Sequence, residues 1–486
     1  MMKFEKNKMP IYLIIVFGII NTLLNGDLVV PNVFVTLGGL YLLLKTDGNL
    51  RKNMYYITLV LALTGYNLKL DLNGRIGIYY FAITLFIYIL VLIYDLYKKN
   101  IKFNVKRFKN QYFIFLVVFI VYGVLSFFWS IDKKDAFIGI YNYAIMICFL
   151  LMFIIENSNM DNLRKTMKVL LVLFCGILLV GLIEILGYDI GIRNTFIDQG
   201  LYFTDPISAY MNRVPSSFYY NPNTYSFVLG VAIVLLMGKL MYSKDNKEKL
   251  ILGSILMVSI VELIFAQSRT VWITVGIVLI AMVIIALITR DKKVGVKAFV
   301  FLIVYFLIIN LVGMIPFMKP YYGKINRTPI LNEVNIGASK EETEWLEGTE
   351  KGGTSSMSKR ATIVDNIYKG VIKEKNYFGF GVNNTSKYIL AQNNTYGVVS
   401  VHCLWLEILG DFGILILLYF VYICISMFIK LLMLSIKFKE NRESYTMAMM
   451  ACIGVAFFVF SPSTVVAFIP FWITMGIIYL MCSNEQ

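Results

Sequence analysis

His402-Cys-Leu-Trp-Leu-Glu-Ile-Leu-Gly-Asp-Phe-Gly413 carries the chain out of a long polar segment, Pro316 to Val401, and back into an apolar helix. Most of the remaining sequence is apolar. Hydrophobic residues fill 58% of the 486 positions and charged residues 15%, a balance that excludes an ordinary soluble domain. Candidate spans lie at 10–25, 28–44, 54–70, 77–97, 111–130, 135–156, 166–187, 219–242, 249–267, 271–289, 297–317, 403–434, 446–460 and 464–482, the first and thirteenth short and the twelfth long for a hydrocarbon core. The expected fold is all-α: a polytopic helical membrane protein with about 12–14 transmembrane helices and a large extracytoplasmic loop at 316–401. A helical bundle in lipid grows as one body, so 1–486 is expected to form a single polytopic membrane domain.

The basic residues test that reading, because a wrong span count would scramble their alternation between loops. They alternate well. One side collects Lys3, Lys6 and Lys8, then Lys45, Arg51 and Lys52, then Lys98, Lys99, Lys102, Lys106, Arg107 and Lys109, then Arg164, Lys165 and Lys168. The same side continues with Lys244, Lys247 and Lys249, then Arg290, Lys292, Lys293 and Lys297, and finally Lys437, Lys439 and Arg442. That side is expected to be cytoplasmic and to hold both termini. The formal net charge of +15 is explained by these loops, so no nucleic-acid partner is expected.

The opposite side holds short turns at 25–27, 71–75, 130–135, 267–269 and 461–463, together with the longer loops 187–221 and 316–401. The N-terminal apolar run follows a basic start but lacks a small-residue cleavage signal, so it is expected to be retained as the first helix. Six cysteines, at 148, 175, 403, 424, 452 and 482, show no CxxC spacing and indicate neither a zinc site nor a disulfide framework. There is no GxxxxGK[ST] loop and no HExxH motif. The first outer turn, Asn25-Gly-Asp-Leu28, carries no Asp-x-Asp pair, so neither a metal nor another cofactor is expected.

Within the large loop, Ser355 to Lys375 reads as a helix, with Ser355 or Ser356 as N-cap and Ile363, Val364, Ile367, Tyr368, Val371 and Ile372 as its apolar stripe. Such a helix is expected to lie on the bilayer surface or against the bundle. Arg360 stands at the start of this face, near the positive end of the helix, and is expected to point toward the bundle.

Further residues on the outer side could carry chemistry. Arg213 opens Arg213-Val-Pro-Ser-Ser-Phe-Tyr-Tyr-Asn-Pro-Asn223, where Asn221 reads as an N-cap and Pro222 as a first helical residue. Arg213 has no such duty, and its planar donors suit a lipid diphosphate. Ser268-Arg269-Thr270 is so short a turn that Arg269 must stand at the membrane surface, as an anchor or as a second phosphate ligand. Glu184, Glu262, Glu407 and Asp411 lie toward the outer ends of their helices, where ion pairing and a direct role both fit. His402, the one histidine, has the side chain whose ordinary pKa suits proton transfer near neutrality; a local hydrogen bond at the membrane boundary is the plainer reading.

Taken in order, Arg213 with Asn221-Pro-Asn223, Ser268-Arg269-Thr270, Arg360 before Gly379-Phe-Gly381, and His402 leading to Leu406-Glu407 and Gly410-Asp-Phe-Gly413 resemble the bacterial O-antigen ligase and cell-surface polysaccharide polymerase family. The likeness runs over about 213–432. It departs from the commonest family pattern at Cys403, where a small polar residue, often asparagine, follows the histidine. The resemblance implies a metal-independent, inverting glycosyltransferase of the cytoplasmic membrane that moves glycan from undecaprenyl diphosphate to an acceptor hydroxyl on the extracytoplasmic side. It assigns Arg213, Arg269 and Arg360 to the donor diphosphate and His402 to the acceptor; Asn223, Glu262, Glu407 and Asp411 are candidate supporting residues. Its implied partners are the lipid-linked glycan, a glycan acceptor, membrane lipids, a flippase and a chain-length regulator. Polymerisation of a capsular or teichuronic-type polysaccharide is the favoured expectation; a ligase moving finished glycan is the alternative inside the family, and a lipid-linked oligosaccharide flippase is the one outside it.

Overall fold

The computed structural model describes residues 6–24, 28–46, 49–65, 67–72, 76–99, 108–188, 213–318, 321, 356–462, 464–465 and 467–483. The expected outer segments at 25–27, 73–75, 189–212 and 322–355, with the Ser355 cap, lie outside these residues, as do Lys3, Lys102, Lys106 and Arg107.

Among the described residues the chain forms sixteen α-helices and one two-stranded sheet. The helices are α1 (Met9–Leu24), α2 (Val29–Lys45), α3 (Leu50–Ala62), α4 (Tyr80–Tyr97), α5 (Gln111–Ser126), α6 (Lys133–Glu156), α7 (Met160–Ile185) and α8 (Pro222–Tyr242). They continue with α9 (Asn246–Phe265), α10 (Arg269–Ile288), α11 (Lys292–Gly313), α12 (Ser356–Tyr368), α13 (Thr385–Ala391), α14 (Leu404–Lys437), α15 (Arg442–Phe458) and α16 (Ile469–Ser483). Each of the apolar runs expected from sequence overlaps one of these helices. Seven, namely α4, α6, α7, α8, α10, α11 and α14, are long and apolar enough to cross a membrane, and α1, α2, α5 and α16 are shorter apolar helices. The chain is a polytopic helical membrane protein.

The expected span 54–70 is helical only to Ala62. Gly65, at φ +60°, turns the chain, and Lys69–Leu72 (β1) then pairs antiparallel with Ile76–Tyr79 (β2). The apolar-polar alternation of Lys69-Leu-Asp-Leu72 is the period of a strand, which a scan for long apolar runs passes over.

The chain divides into two compact units, 1–108 with 148–225, and 109–147 with 226–486. In the first, a buried polar cluster joins α3, α4, α6 and α7. Arg51 pairs with Glu156 at 2.6 Å, Tyr88 donates to Glu156 at 2.8 Å, and Asn157 donates to Tyr55 at 2.8 Å. Removed from water, such a charge pair persists only with hydrogen bonds around it. The first unit also holds the segment leading into α8, where Ser216 and Ser217 donate their backbone N–H groups to Glu184 at 2.9 and 2.7 Å.

The second unit has two chemically different ends. At one, α8, α9, α11 and α15 are tied by basic groups: Lys239 to Glu443 at 2.7 Å, Arg442 to Asp291 at 2.9 Å, and Lys297 to the Met241 carbonyl. Arg442 and Lys297 belong to the set that marks the expected cytoplasmic side. At the other end α14 begins, and it is not one straight helix. Gly413, at φ +78° and ψ −176°, breaks it into Leu404–Phe412 and a longer segment after the break. A side chain at Gly413 would collide with the Tyr377 carbonyl, and the left-handed φ disfavours any L residue there.

A broken helix in a membrane must satisfy the backbone groups it releases. Here the segment 377–384, with its Gly379-Phe-Gly-Val-Asn-Asn384 turn, does so. Ile414 N–H donates to the Tyr377 carbonyl at 3.1 Å, and Phe380 N–H donates to the Gly410 carbonyl at 2.7 Å. The same turn is held to the α5–α6 connection: Val382 N–H donates to the Ser126 hydroxyl at 3.0 Å, and Asp132 N–H donates to the Asn384 side chain at 2.6 Å.

Helix α12 begins at Ser356 and gives way to a π-helical turn, Lys369–Lys373. Its buried stripe is narrower than expected: Ile363, Ile367 and Val371 are buried with Phe380 and Ile389, whereas Val364 and Tyr368 are exposed. The stripe follows the three-to-four residue spacing of one helix face. Val398, Val399, Val401, Leu406 and Leu409 pack against it, so α12 is fastened to the segment that leads into α14.

Candidate active site

His402 stands just before the N-cap of α14, Cys403, in the left-handed conformation at φ +51°. This is uncommon for a residue with a side chain and marks a position held by its surroundings. Three contacts hold it. Leu404 N–H donates to the Val459 carbonyl at 3.2 Å, the Trp405 indole donates to the Ala456 carbonyl at 2.9 Å, and His402 Nδ1 faces the Ser461 carbonyl at 3.4 Å. A carbonyl can only accept, so this contact, long for a hydrogen bond, favours the tautomer with its proton on Nδ1. Nε2 then carries the lone pair a general base needs.

Ser461 links this histidine to the α9–α10 turn. Its hydroxyl shares a buried hydrogen bond of 2.9 Å with the Ser268 hydroxyl. Ser268 occupies the N-cap position of α10 but makes no side-chain cap bond; its hydroxyl is engaged by Ser461 instead. Arg269 follows as the first residue of α10, half-buried, at the positive end of the helix dipole.

Arg360 lies on α12, three residues before Ile363, with its side chain half-buried. It is close enough to His402 for its charge to act on the imidazole. Burial is the larger influence and the Arg360 guanidinium the second; together they lower the His402 pKa to about 4, against the opposing contact with Ser461. The imidazole is therefore neutral at pH 7.

The acidic residues do different work. Asp411 is buried and accepts from the backbone N–H groups of Asn383, Asn384 and Thr385 at 2.8, 3.1 and 2.9 Å, and from the Thr385 hydroxyl at 2.6 Å. It caps α13 from outside and pins the glycine turn into the break of α14. Glu407 accepts from the Thr464 hydroxyl at 2.6 Å and from Val465 N–H at 3.4 Å, holding the chain just beyond Ser461. Neither acid orients His402 directly. Glu262 is fully buried one turn before the end of α9.

In the first unit, Arg213 packs its guanidinium near Gly187, whose φ of +90° closes α7. The Tyr188 N–H returns to the Ile183 carbonyl at 3.3 Å and Gly187 N–H to Glu184 at 2.9 Å, a helix ending that glycine favours. The guanidinium thus sits by the negative end of that helix. Asn223 is in the first turn of α8, its N–H donating to Asn221 at 2.8 Å, as expected for an Asn221 cap.

The second unit therefore gathers His402, Arg360 and the turn carrying Arg269, with Ser461 and Ser268 between them. Sequence reasoning does not find that last pair: Ser268 belongs to the Ser268-Arg269-Thr270 turn, but nothing in the sequence ties it to a residue 193 positions away. It also misses Gln267. This residue has φ +55°, is buried, and meets no hydrogen-bond partner at Oε1 or Nε2 among the described residues.

A family model described as O-antigen ligase matches residues 254–421. The match covers Arg269, Arg360, His402, Glu407 and Asp411 and supports a membrane protein that joins glycans, by ligation or polymerisation. No curated protein and no solved structure matches the chain.

Proposed function

We propose, from a match that supports an O-antigen ligase or polysaccharide polymerase-like family, that this chain is a metal-independent, inverting glycosyltransferase acting on undecaprenyl diphosphate-linked glycan outside the cytoplasmic membrane. The observation that carries the reading is the pairing of a neutral, Nδ1-anchored His402 with the Arg360 guanidinium.

The step balances without a nucleotide. The bond from the anomeric carbon to the diphosphate oxygen breaks, a bond from that carbon to the acceptor oxygen forms, and the hydroxyl proton passes to His402 Nε2. The leaving diphosphate gains negative charge as the bond breaks, and arginines in a water-poor site stabilise it. Arg360 and Arg269 carry that role in this reading. Arg213 belongs to the first unit, and its assignment as a diphosphate ligand rests on the sequence resemblance.

An imidazole of depressed pKa is a weak base, and the donor offsets this. Diphosphate bound at Arg360 neutralises a charge that suppresses protonation of His402, so basicity rises when the substrate arrives. Glu407, through Thr464 and Val465, and Asp411, through the glycine turn, are positioning residues; Asn223 and Glu262 remain in support. In this reading both termini lie in the cytoplasm, and a flippase and a chain-length regulator are proposed partners.

The favoured product is a capsular or teichuronic-type polymer; transfer of finished glycan to another acceptor is the reading closest to the description of the matched family. Purified protein in detergent, given undecaprenyl diphosphate-linked glycan, is expected to form a new glycosidic bond and release undecaprenyl diphosphate. Absence of product where a positive-control polymerase makes it removes the proposal. A ladder of repeat units indicates polymerisation, and product formed only with a second acceptor indicates ligation.

A further inference from the structure

Gln267 sits on the α9–α10 turn, 4% exposed, with both ends of its carboxamide unpartnered among the described residues. Buried polar side chains are nearly always hydrogen-bonded, so each exception calls for a reason. The backbone adds a second sign. At φ +55° the residue holds a conformation that glycine or asparagine adopts more readily, so a long amide is being kept where a local turn preference would choose otherwise. The third is position. Gln267 is two residues from Arg269, and Ser268 between them is bonded to the Ser461 residue that faces His402.

We propose that Gln267 is a sugar-binding residue of this site, recognising a hydroxyl of the donor sugar that is bonded directly to the diphosphate. The inference rests on the glycosyltransferase reading above and adds to it a residue that distinguishes glycan from carrier. The chemistry selects the ligand. A carboxamide presents an acceptor, Oε1, beside two donors on Nε2. An ionised diphosphate only accepts, so it would satisfy Nε2 and leave Oε1 bare. A sugar hydroxyl both donates and accepts and satisfies both ends. The short spacing to Arg269 agrees, because the sugar and the diphosphate are joined by one bond.

The test separates sugar from phosphate with two lipids: bare undecaprenyl diphosphate, and the glycan-bearing form extracted from cells in which His402→Ala stops its consumption. Affinity of the full chain in detergent is measured for wild type and Gln267→Met, an apolar replacement of similar size. The expected result is a loss of about tenfold for the glycan-bearing lipid and less than about twofold for the bare carrier. Thermal stability without ligand is expected to hold or rise, since an unsatisfied amide has been removed; a structural glutamine would instead lose stability.

Gln267→Asn keeps an amide one carbon shorter and suits the left-handed backbone. It is expected to fold and to bind the glycan-bearing lipid at an intermediate strength, which keeps the question open to decision if the Met variant does not fold. Equal loss for both lipids, or no loss for either, overturns the assignment. Failure of wild type to bind either lipid overturns the donor reading itself, a different and separable outcome.

Discussion

Two corners lie at the same end of the second unit and are built from similar parts: a glycine or serine turn, an acid or histidine, and the start of α14. At the first, Asp411 takes three backbone N–H groups and a hydroxyl, and the 377–384 segment accepts and donates where Gly413 breaks the helix. Every group named there has a partner. At the second, His402 holds a left-handed backbone, presents one ring nitrogen to Ser461 and feels the Arg360 charge, and the α9–α10 turn bonded to Ser461 carries Gln267, a buried amide unpartnered among the described residues. The lesson is that sequence motifs of equal prominence divide by satisfaction. A corner whose donors and acceptors cancel is scaffold, and one that keeps capacity in reserve is where a substrate can bind.

The widest separation between the corners comes from substituting one residue in each. His402→Ala is expected to lower the rate of product formation by about 10²–10⁴-fold, the range for removal of a general base, with membrane abundance and melting temperature unchanged. Asp411→Ala is expected to do the reverse in kind. It leaves buried N–H groups of 383–385 unmatched, costing on the order of 3 kcal/mol of stability, read as a lower melting temperature and reduced abundance. A stable, inactive Asp411→Ala would move that corner into the active site, and a near-normal rate for His402→Ala would remove the second corner from it.

Much of this architecture was legible beforehand because lipid enforces simple rules. Long apolar runs must be helices, and the alternation of lysines sorts their ends, so the spans from Tyr80 to Tyr97 and from Arg269 to Ile288 could be marked within a few residues. The ends were harder. The β1–β2 hairpin replaces part of an expected span because strand alternation carries no long hydrophobic signal. The break at Gly413 is invisible in composition, since glycine is common in membrane helices and only its contact with Tyr377 reveals the left-handed φ. Arg360, expected on the inward face, is half-buried, whereas Val364, expected on the same face, is exposed. The roles of Asp411, Ser461 and Gln267 depend on partners far away in sequence, which no local pattern encodes.

The arginine beside His402 supplies the next prediction. Arg360→Lys keeps the charge but loses the planar fork, and an approximately tenfold loss of kcat/KM is expected, with similar losses for Arg269→Lys or Arg213→Lys in at least one case. Wild-type rates in all three lysine variants break the phosphate-clamp reading. Arg360→Gln tests the electrostatic link separately. With His402 neutral down to about pH 4, kcat/KM of the wild type should stay level from neutrality and fall only as that pH is approached. Removing the guanidinium should move this limb upward, yet it should remain below the ordinary histidine value because burial, the larger cause, persists. The sign for stability follows. His402 has a folded pKa below its unfolded one, so its contribution is full above about pH 6.5 and is lost as pH falls toward about 4. His402→Gln should flatten that part of the melting-temperature profile, and an unchanged profile would show that the ring is not the group titrating.

The smallest effect is expected where the two corners are joined by α14. Glu407, between His402 and Asp411 in sequence, holds Thr464 at 2.6 Å and Val465 at 3.4 Å rather than touching the imidazole. Glu407→Gln keeps an acceptor for the Thr464 hydroxyl and weakens a contact that is already long, so a stability change of about 1 kcal/mol or less is expected. Because that segment carries the Ser461 carbonyl that faces Nδ1, a looser hold should appear as a few-fold fall in kcat with KM little changed, and a Thr464→Val variant should reproduce it. A loss as large as that of His402→Ala would mean that the carboxylate takes part in proton transfer itself. The division between scaffold and reactive groups would then run through α14 beyond Glu407, not before it.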